Sequence, residues 1–443
     1  MNDFAIWKGG LGYSEKKEAQ DFVTGKDREY DVIFFKYEIL ALLSYHISLH
    51  DKEIIKKETS KEIIRELINL YGQQLDMIQE EDIHTEVEKL VLKANAEAGV
   101  NLRVLLSRNE QIHTDIRLFL IDSLLHLKQE CLLSAEEIKK KGVKEDGIIP
   151  GYTHYRQAMP TTWSTYTDYI ASTFVDFSKK ISQAIQDLME LPLGYGSGFG
   201  SFSPADWKEV SQMLGFREIV KNPLLASSFR GVDELRVIDL LKEIMLRISR
   251  FSQDLILWSS EELGFISLPK AFVTGSSLMP NKANPDFLEM VEGYAALILS
   301  NSVTVSTLLL SKTSGYHRDF QIAKWCIIES LDIVFKTIKY FRKMVSEIEF
   351  LPDVASKVVQ NSSFATGNAA SEVISGTPWK DAYAKIGKRI TQGIKLETYS
   401  VTSFEAIKLD ELAKLIGEAE EEIRDRDQIY SKLIERSKII LNS

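Results

Sequence analysis

The sequence is short of cysteine. Two thiols in 443 residues, Cys131 and Cys326, exclude a disulfide framework and a CxxC metal or redox site. Proline is just as restricted. The first is Pro150 and the last is Pro378, so 149 residues run without a helix breaker. Positive charge is not in excess either. Lys and Arg number 54 against 64 acidic residues, a formal net charge of −10, and no dense basic stretch interrupts this balance. That argues against nucleic acid as the main partner, because phosphate binding needs clustered cations. An anionic substrate must meet locally placed cations instead. No apolar run approaches the roughly 18 residues that cross a bilayer. The opening MNDFAIWKGG lacks the charged-then-apolar pattern of a secretion signal. Together these features predict a reduced, cytoplasmic, soluble protein.

What is present is helical. The proline-free segment is rich in Leu, Ile, Glu and Lys, all good helix formers. After Gly231, apolar residues recur at alternating spacings of four and three: Val237, Leu241, Ile244, Ile248, Phe251, Leu255 and Trp258. This is one seam of a long helix in a bundle, running toward Gly264. Similar patterns cover about 110–140, 162–190, 286–312 and 319–349. Ile112, Ile116, Leu120, Leu124 and Leu127 mark the first of them. Period-two strand patterns are nearly absent. The expected fold is all-α, centred on about five long helices. An N-terminal helical region (1–106) precedes the bundle (107–351). Pro352 and Asn361-Ser362-Ser363 mark the passage to a small helical C-terminal region (352–443). The acidic run from Glu418 to Glu422 reads as a solvated helix face.

Chemistry on such a scaffold belongs in the polar punctuation between the rods. Three segments stand out: Ser107-Arg108-Asn109, Thr153-His154 in a Gly- and Pro-containing loop, and the stretch GSSLMPNKANP at 275–285. The last places two hydroxyls, Lys282 and Asn284 before a helix that begins at Asp286, an arrangement suited to an anion. A histidine in such a loop is a possible general acid, because this residue type can hold or give a proton near neutrality, although an isolated histidine is more often a surface or capping residue. Ser107-Arg108-Asn109 offers a guanidinium fork and amide donors for a carboxylate, or simply a helix cap. His46 and His50 stand one turn apart, but no HExxH pattern supports a metal there.

Together these segments resemble the fumarase/aspartase superfamily, and within it the argininosuccinate lyases. GSSLMPNKANP is similar to the superfamily's signature loop. GKDREYD, EDIHTEVE, SRNEQ, PGYTHYRQAMP and GYHRDFQIAK extend the likeness over nearly the whole chain. The resemblance implies elimination of fumarate from an N-succinyl substrate. Ser277 would be the base and His154 the acid, with Glu289 steering the histidine. Ser107, Arg108, Asn109, Thr153, Lys282 and Asn284 would hold the succinyl carboxylates. Tyr316, Gln321 and Lys324 would hold the amino-acid end of the leaving group. The family is homotetrameric, with each site drawn from three chains, and needs no metal or organic cofactor. The chain departs from the family pattern in four places. Arg103-Val104-Leu105-Leu106 replaces a polar turn before Ser107. Glu110 stands where Asp is usual, Asp27 matches a substrate-contacting Ser, and Ala283 replaces a second Lys. Two alternatives therefore accompany the argininosuccinate reading: a lyase for another N-succinyl amine, and an inactive structural or regulatory homologue.

Overall fold

In the computed structural model, residues 17–443 are described; the opening MNDFAIWKGG lies outside them. The expected bundle is there. Helix α1 spans Phe35–Asp51, α2 Arg108–Lys144, α3 Trp163–Asp187, α4 Val232–Trp258, α5 Asp286–Leu309 and α6 Gln321–Glu347. Every residue of the α4 seam is buried, as is every residue named for α2. Burying a Leu or Ile side chain contributes about 1.5–3 kcal/mol, so these stripes, rather than intrinsic propensity, hold the rods in place. Helix α4 is 27 residues, about 40 Å at 1.5 Å per residue. It stops at Trp258, and the chain then turns through Gly264 at φ +52°, short of the continuous rod expected to that glycine.

A buried polar clamp ties α2 to α4. Asp233 Oδ2 accepts from Arg117 Nε at 2.7 Å and lies 3.0 Å from His113 Nε2. Burial resists ionisation of Asp233, but the Arg117 and His113 charges outweigh it and hold the carboxyl down to about 2.

Three features differ from the sequence reading. The loop around His154 is a β-hairpin, β1 Ile148–Thr153 with β2 Arg156–Thr162, antiparallel and irregular between Pro150 and Tyr152. The prolines and glycine hid the strand pattern. The C-terminal segment ends in a 34-residue helix, α7, Leu409–Asn442, which returns to the first half of the chain. There Arg426 meets Asp122 at 2.9 Å and Arg436 meets Asp51 and Glu209. Its residues Glu418 and Glu420–Glu422 are exposed, as expected. Finally, Asp27–Asp51 is long and apolar enough to cross a membrane by length and composition, contrary to the expectation that no such run exists. In the fold, 83% of its 18-residue apolar window is buried inside the protein.

Candidate functional site

The start of α2 is built by its own sequence. Ser107 is the N-cap, its Oγ accepting from Asn109 N at 3.3 Å, while Glu110 Oε1 accepts from Ser107 N at 2.9 Å. This reciprocal capping satisfies donors that a helix start leaves free. Glu110 Oε2 also accepts from Gly194 N and Gly196 N, each at 2.8 Å. Gly196 has φ +62°, and a Cβ there would lie 2.6 Å from Gly200 O, so glycine is required for this approach. One carboxylate thereby docks a glycine-rich loop onto the segment Ser107-Arg108-Asn109. Burial pushes the Glu110 carboxyl up, against the pull of these three backbone donors.

Beside this helix start is a cavity of about 110 Å³. Arg108 and Asn109 line it, and so do Tyr316, Gln321 and Lys324 from more than 200 residues away. Five of the proposed binding residues thus converge. Lys324 is buried and paired with both Asp27, at 2.9 Å, and Asp31. Asp27 also accepts from Gln321 Nε2 and from Trp325 Nε1, the latter at 2.9 Å. Burial disfavours the Lys324 charge, yet Asp31 and Asp27 more than compensate and raise its pKa. Burial also lifts the Asp31 carboxyl to about 6, with Lys324 opposing.

The sequence reading missed other lining residues: Asp31, Asp82, His84, Arg230 and Arg318. Asp82 caps the helix Ile83–Ala94 by accepting from Thr85 N at 2.8 Å, and it pairs with Arg108. Burial resists its ionisation, but His84 and Arg108 prevail and hold it below the usual carboxylate range. Arg230 is paired with Glu234, and Arg318 lies 2.7 Å from Glu81. Asp82-Ile83-His84 in EDIHTEVE, at the start of that helix, was the available signal for Asp82 and His84.

The remaining candidates are not brought to this cavity within one chain. Thr153 and His154 are exposed at the hairpin tip. Thr153 pairs with Arg156 across a two-residue turn in which His154 and Tyr155 have φ +54° and +55°. This is the geometry of a type I′ turn, which right-twisted strands favour but which costs about 1–3 kcal/mol per non-glycine residue. Histidine tolerates it better than tyrosine. Gln157 fastens the hairpin to the C-terminal region by donating to Val358 O at 2.8 Å.

Ser277 and Lys282 are exposed and Asn284 is half-buried, in a loop closed by β3 (Thr274–Gly275) and β4 (Ala283–Asn284). Ser276 Oγ accepts from Leu278 N and Met279 N, so those amides are already engaged beside Ser277. Asp286 opens α5 but does not cap it; it accepts from Thr274 Oγ1 and ties the loop to the helix. Glu289 is exposed one turn into α5.

The altered turn before Ser107 is well anchored. Arg103 Nε donates to Gln111 Oε1 at 3.2 Å and its guanidinium lies 3.4 Å from Glu88. Tyr45 OH donates to Val104 O at 2.9 Å. Leu105 takes φ +57° and is half exposed. His46 Nε2 lies 2.7 Å from Leu102 O, so that histidine packs in the core and braces the turn.

Comparison with known proteins bears on the family and the fold. A family model described as lyase matches residues 22–299. The argininosuccinate lyase of Thermotoga neapolitana is 30% identical over 391 residues, which are 87% of this chain and 98% of that protein. That of Caldanaerobacter subterraneus is 27% identical over 442 residues, 98% of each chain. Among solved structures, EDDS lyase in complex with formate superposes with a TM-score of 0.77 at 17% identity, covering 98% of both chains. A fumarate lyase:delta crystallin from Brucella melitensis gives 0.68 at 16% identity, covering 90% of this chain and 92% of that one.

Proposed function

Because the chain belongs to the lyase family of the fumarase/aspartase superfamily and is a carbon–nitrogen lyase, we propose that it releases fumarate from argininosuccinate and leaves arginine, a step of arginine biosynthesis. The observation that carries this reading is the Lys324–Asp27 pair in the cavity beside the Ser107–Asn109 helix start. An α-amino acid end carries a carboxylate and an ammonium side by side. A buried cation and anion 2.9 Å apart complement that zwitterion, Lys324, Gln321 and Tyr316 taking the carboxylate and Asp27 the ammonium. The helix start, with Arg108 and Asn109, suits a succinyl carboxylate at the other end.

The chemistry follows from residue types. The Ser277 alkoxide takes the carbon-bound proton next to a carboxylate, and negative charge builds on that carboxylate. The C–N bond then breaks, its electrons going to nitrogen, and His154 supplies a proton to the departing guanidinium nitrogen. The new carbon–carbon double bond belongs to fumarate. Serine is a weak base, so its alkoxide needs nearby positive charge, for which Lys282 is the candidate. Glu289 would orient His154, and Thr153 and Asn284 would complete the grip on the succinyl group.

One chain holds the grip and the proton-transfer groups apart, which supports a homotetramer with sites shared between chains. Helix α5 points the same way. It buries Leu288, Val291, Ala295 and Ile298, yet also exposes Met290, Leu297, Leu299 and Val303. A helix apolar on every side wants burial on every side, and closed symmetry would repeat the completed site once per chain.

A second reading rests on the three aspartates of the cavity, Asp27, Asp31 and Asp82. They would also suit a more cationic N-succinyl amine. Ultraviolet absorbance of fumarate, followed with argininosuccinate and with a panel of succinyl amines, separates the two. Turnover of argininosuccinate supports the first; turnover of another amine alone supports the second.

A further inference from the structure

Next to the cavity is a group that the elimination chemistry does not use. Glu38 from α1, His84, and Asp115 from α2 bring one ligand atom each to within 4.8 Å of one another. All three are buried, at 0%, 2% and 0% exposure. Gln111 Nε2 donates to Glu38 Oε1 at 2.8 Å, and Gln111 is itself held by Arg103. That chain orients Glu38 and leaves Oε2 unpaired. Both carboxylate oxygens of Asp115 and both ring nitrogens of His84 also lack a hydrogen-bond partner among the described residues. His84 Nδ1 lies 3.0 Å from Glu38 Oε2 and 4.0 Å from Asp115 Oδ2, but the nearer contact is not aligned as a hydrogen bond.

Buried polar atoms in folded proteins are nearly always paired; here the His84–Glu38 ion pair and a carboxyl–carboxyl contact between Glu38 and Asp115 engage part of the group, and the atoms left over, among them His84 Nε2, call for an occupant. Two facing carboxyl groups there can supply two negative charges to a cation that displaces the proton they otherwise share, and the imidazole is an independent, non-acidic donor aimed at them. We propose that Glu38, His84 and Asp115 form a divalent cation site. Bonds of about 2.0–2.2 Å place neighbouring ligand atoms roughly 3–3.5 Å apart, between the 3.0 and 4.0 Å that separate His84 Nδ1 from Glu38 and Asp115. One imidazole nitrogen and two carboxylates suit Zn²⁺ or Mn²⁺ better than a soft thiophilic ion. Gln111 then serves as the outer partner that fixes a ligating carboxylate. His84 also lines the cavity, which gives the ion an entry path. The cation neutralises the buried acids and ties α1 to α2, whichever amine the lyase releases.

The test uses full-length protein stripped with a chelator, then titrated with Zn²⁺ or Mn²⁺ by calorimetry, with bound metal counted by mass spectrometry. One equivalent per chain is expected, together with a melting temperature that rises on metal addition. Glu38→Gln and Asp115→Asn keep shape and remove one charge each, and either should weaken binding at least tenfold. If one variant does not fold, the other decides. Absence of stoichiometric uptake by the wild type overturns the site and leaves the carboxyl groups neutralised by a shared proton. Uptake unchanged in both variants places the metal elsewhere and equally overturns it.

Discussion

Asp27→Asn is the sharpest probe of how the cavity grips its substrate. In the folded chain Asp27 accepts from Lys324, Gln321 and Trp325. Asparagine keeps the shape and one acceptor oxygen but loses the charge. Lys324 still has Asp31, so no buried cation is left alone and the fold should hold. If Asp27 receives the α-ammonium, the variant loses one charge-assisted hydrogen bond, about 1.5–3 kcal/mol. At 1.4 kcal/mol per decade this is roughly a 10- to 150-fold rise in KM for argininosuccinate. The group is remote from the bond that breaks, so the loss falls on KM and leaves kcat within a few-fold. Inhibition by free arginine should weaken by the same factor, while a succinyl amine without an α-ammonium should be indifferent. Steady-state fumarate release with both substrates provides the assay. An unchanged or lower KM for argininosuccinate would refute the zwitterion reasoning, since Asp27 would then only repel the carboxylate held by Lys324.

Other outcomes follow from the same geometry. Ser277→Ala and His154→Asn should each lower kcat at least about a hundredfold; asparagine tolerates the left-handed backbone of His154, so the hairpin turn survives. Each variant should be inactive alone, yet co-expression should restore partial activity in mixed tetramers verified by sedimentation. Verified mixed tetramers without restored activity would remove the shared site. Asp233→Asn leaves the buried Arg117 without its charge partner, though still donating to Glu190 O, costing about 3–5 kcal/mol in urea unfolding at pH 7 and fixed protein concentration. Burial depresses His46 from 6.5 to about 4. The unfolded chain therefore takes up that proton first, and stability falls by up to ~3 kcal/mol as pH drops from 6.5 to 4. His46→Gln should remove that share of the pH dependence and leave the share due to His113, which burial likewise depresses to about 4.

The long rods were legible because a buried stripe imposes its spacing directly on the sequence: each seam residue of α4 from Val237 to Trp258 is in the core. The hairpin was not, since Pro150, Gly151 and Pro160 interrupt the alternation that marks a strand, and its turn uses His-Tyr rather than Asn-Gly. The last helix was expected only as part of a small C-terminal region. Its contacts with Asp51, Asp122 and Glu209 depend on tertiary folding that no local pattern reports. The cavity was half legible. Arg108, Asn109, Tyr316, Gln321 and Lys324 carried motif signals, whereas Arg230 lies in no quoted motif and Arg318, though inside GYHRDFQIAK, was given no role. Asp31 closes the GKDREYD stretch, but its role shows only once Lys324 folds onto it from 293 positions away.

Elimination of fumarate from argininosuccinate with Ser277 as base is tested most directly through its products. Purified wild-type protein mixed with argininosuccinate should show fumarate absorbance growing in step with arginine, one for one, and Ser277→Ala should abolish both. Fumarate appearing from a different succinyl amine but not from argininosuccinate, or undiminished release by the Ser277 variant, would contradict the account.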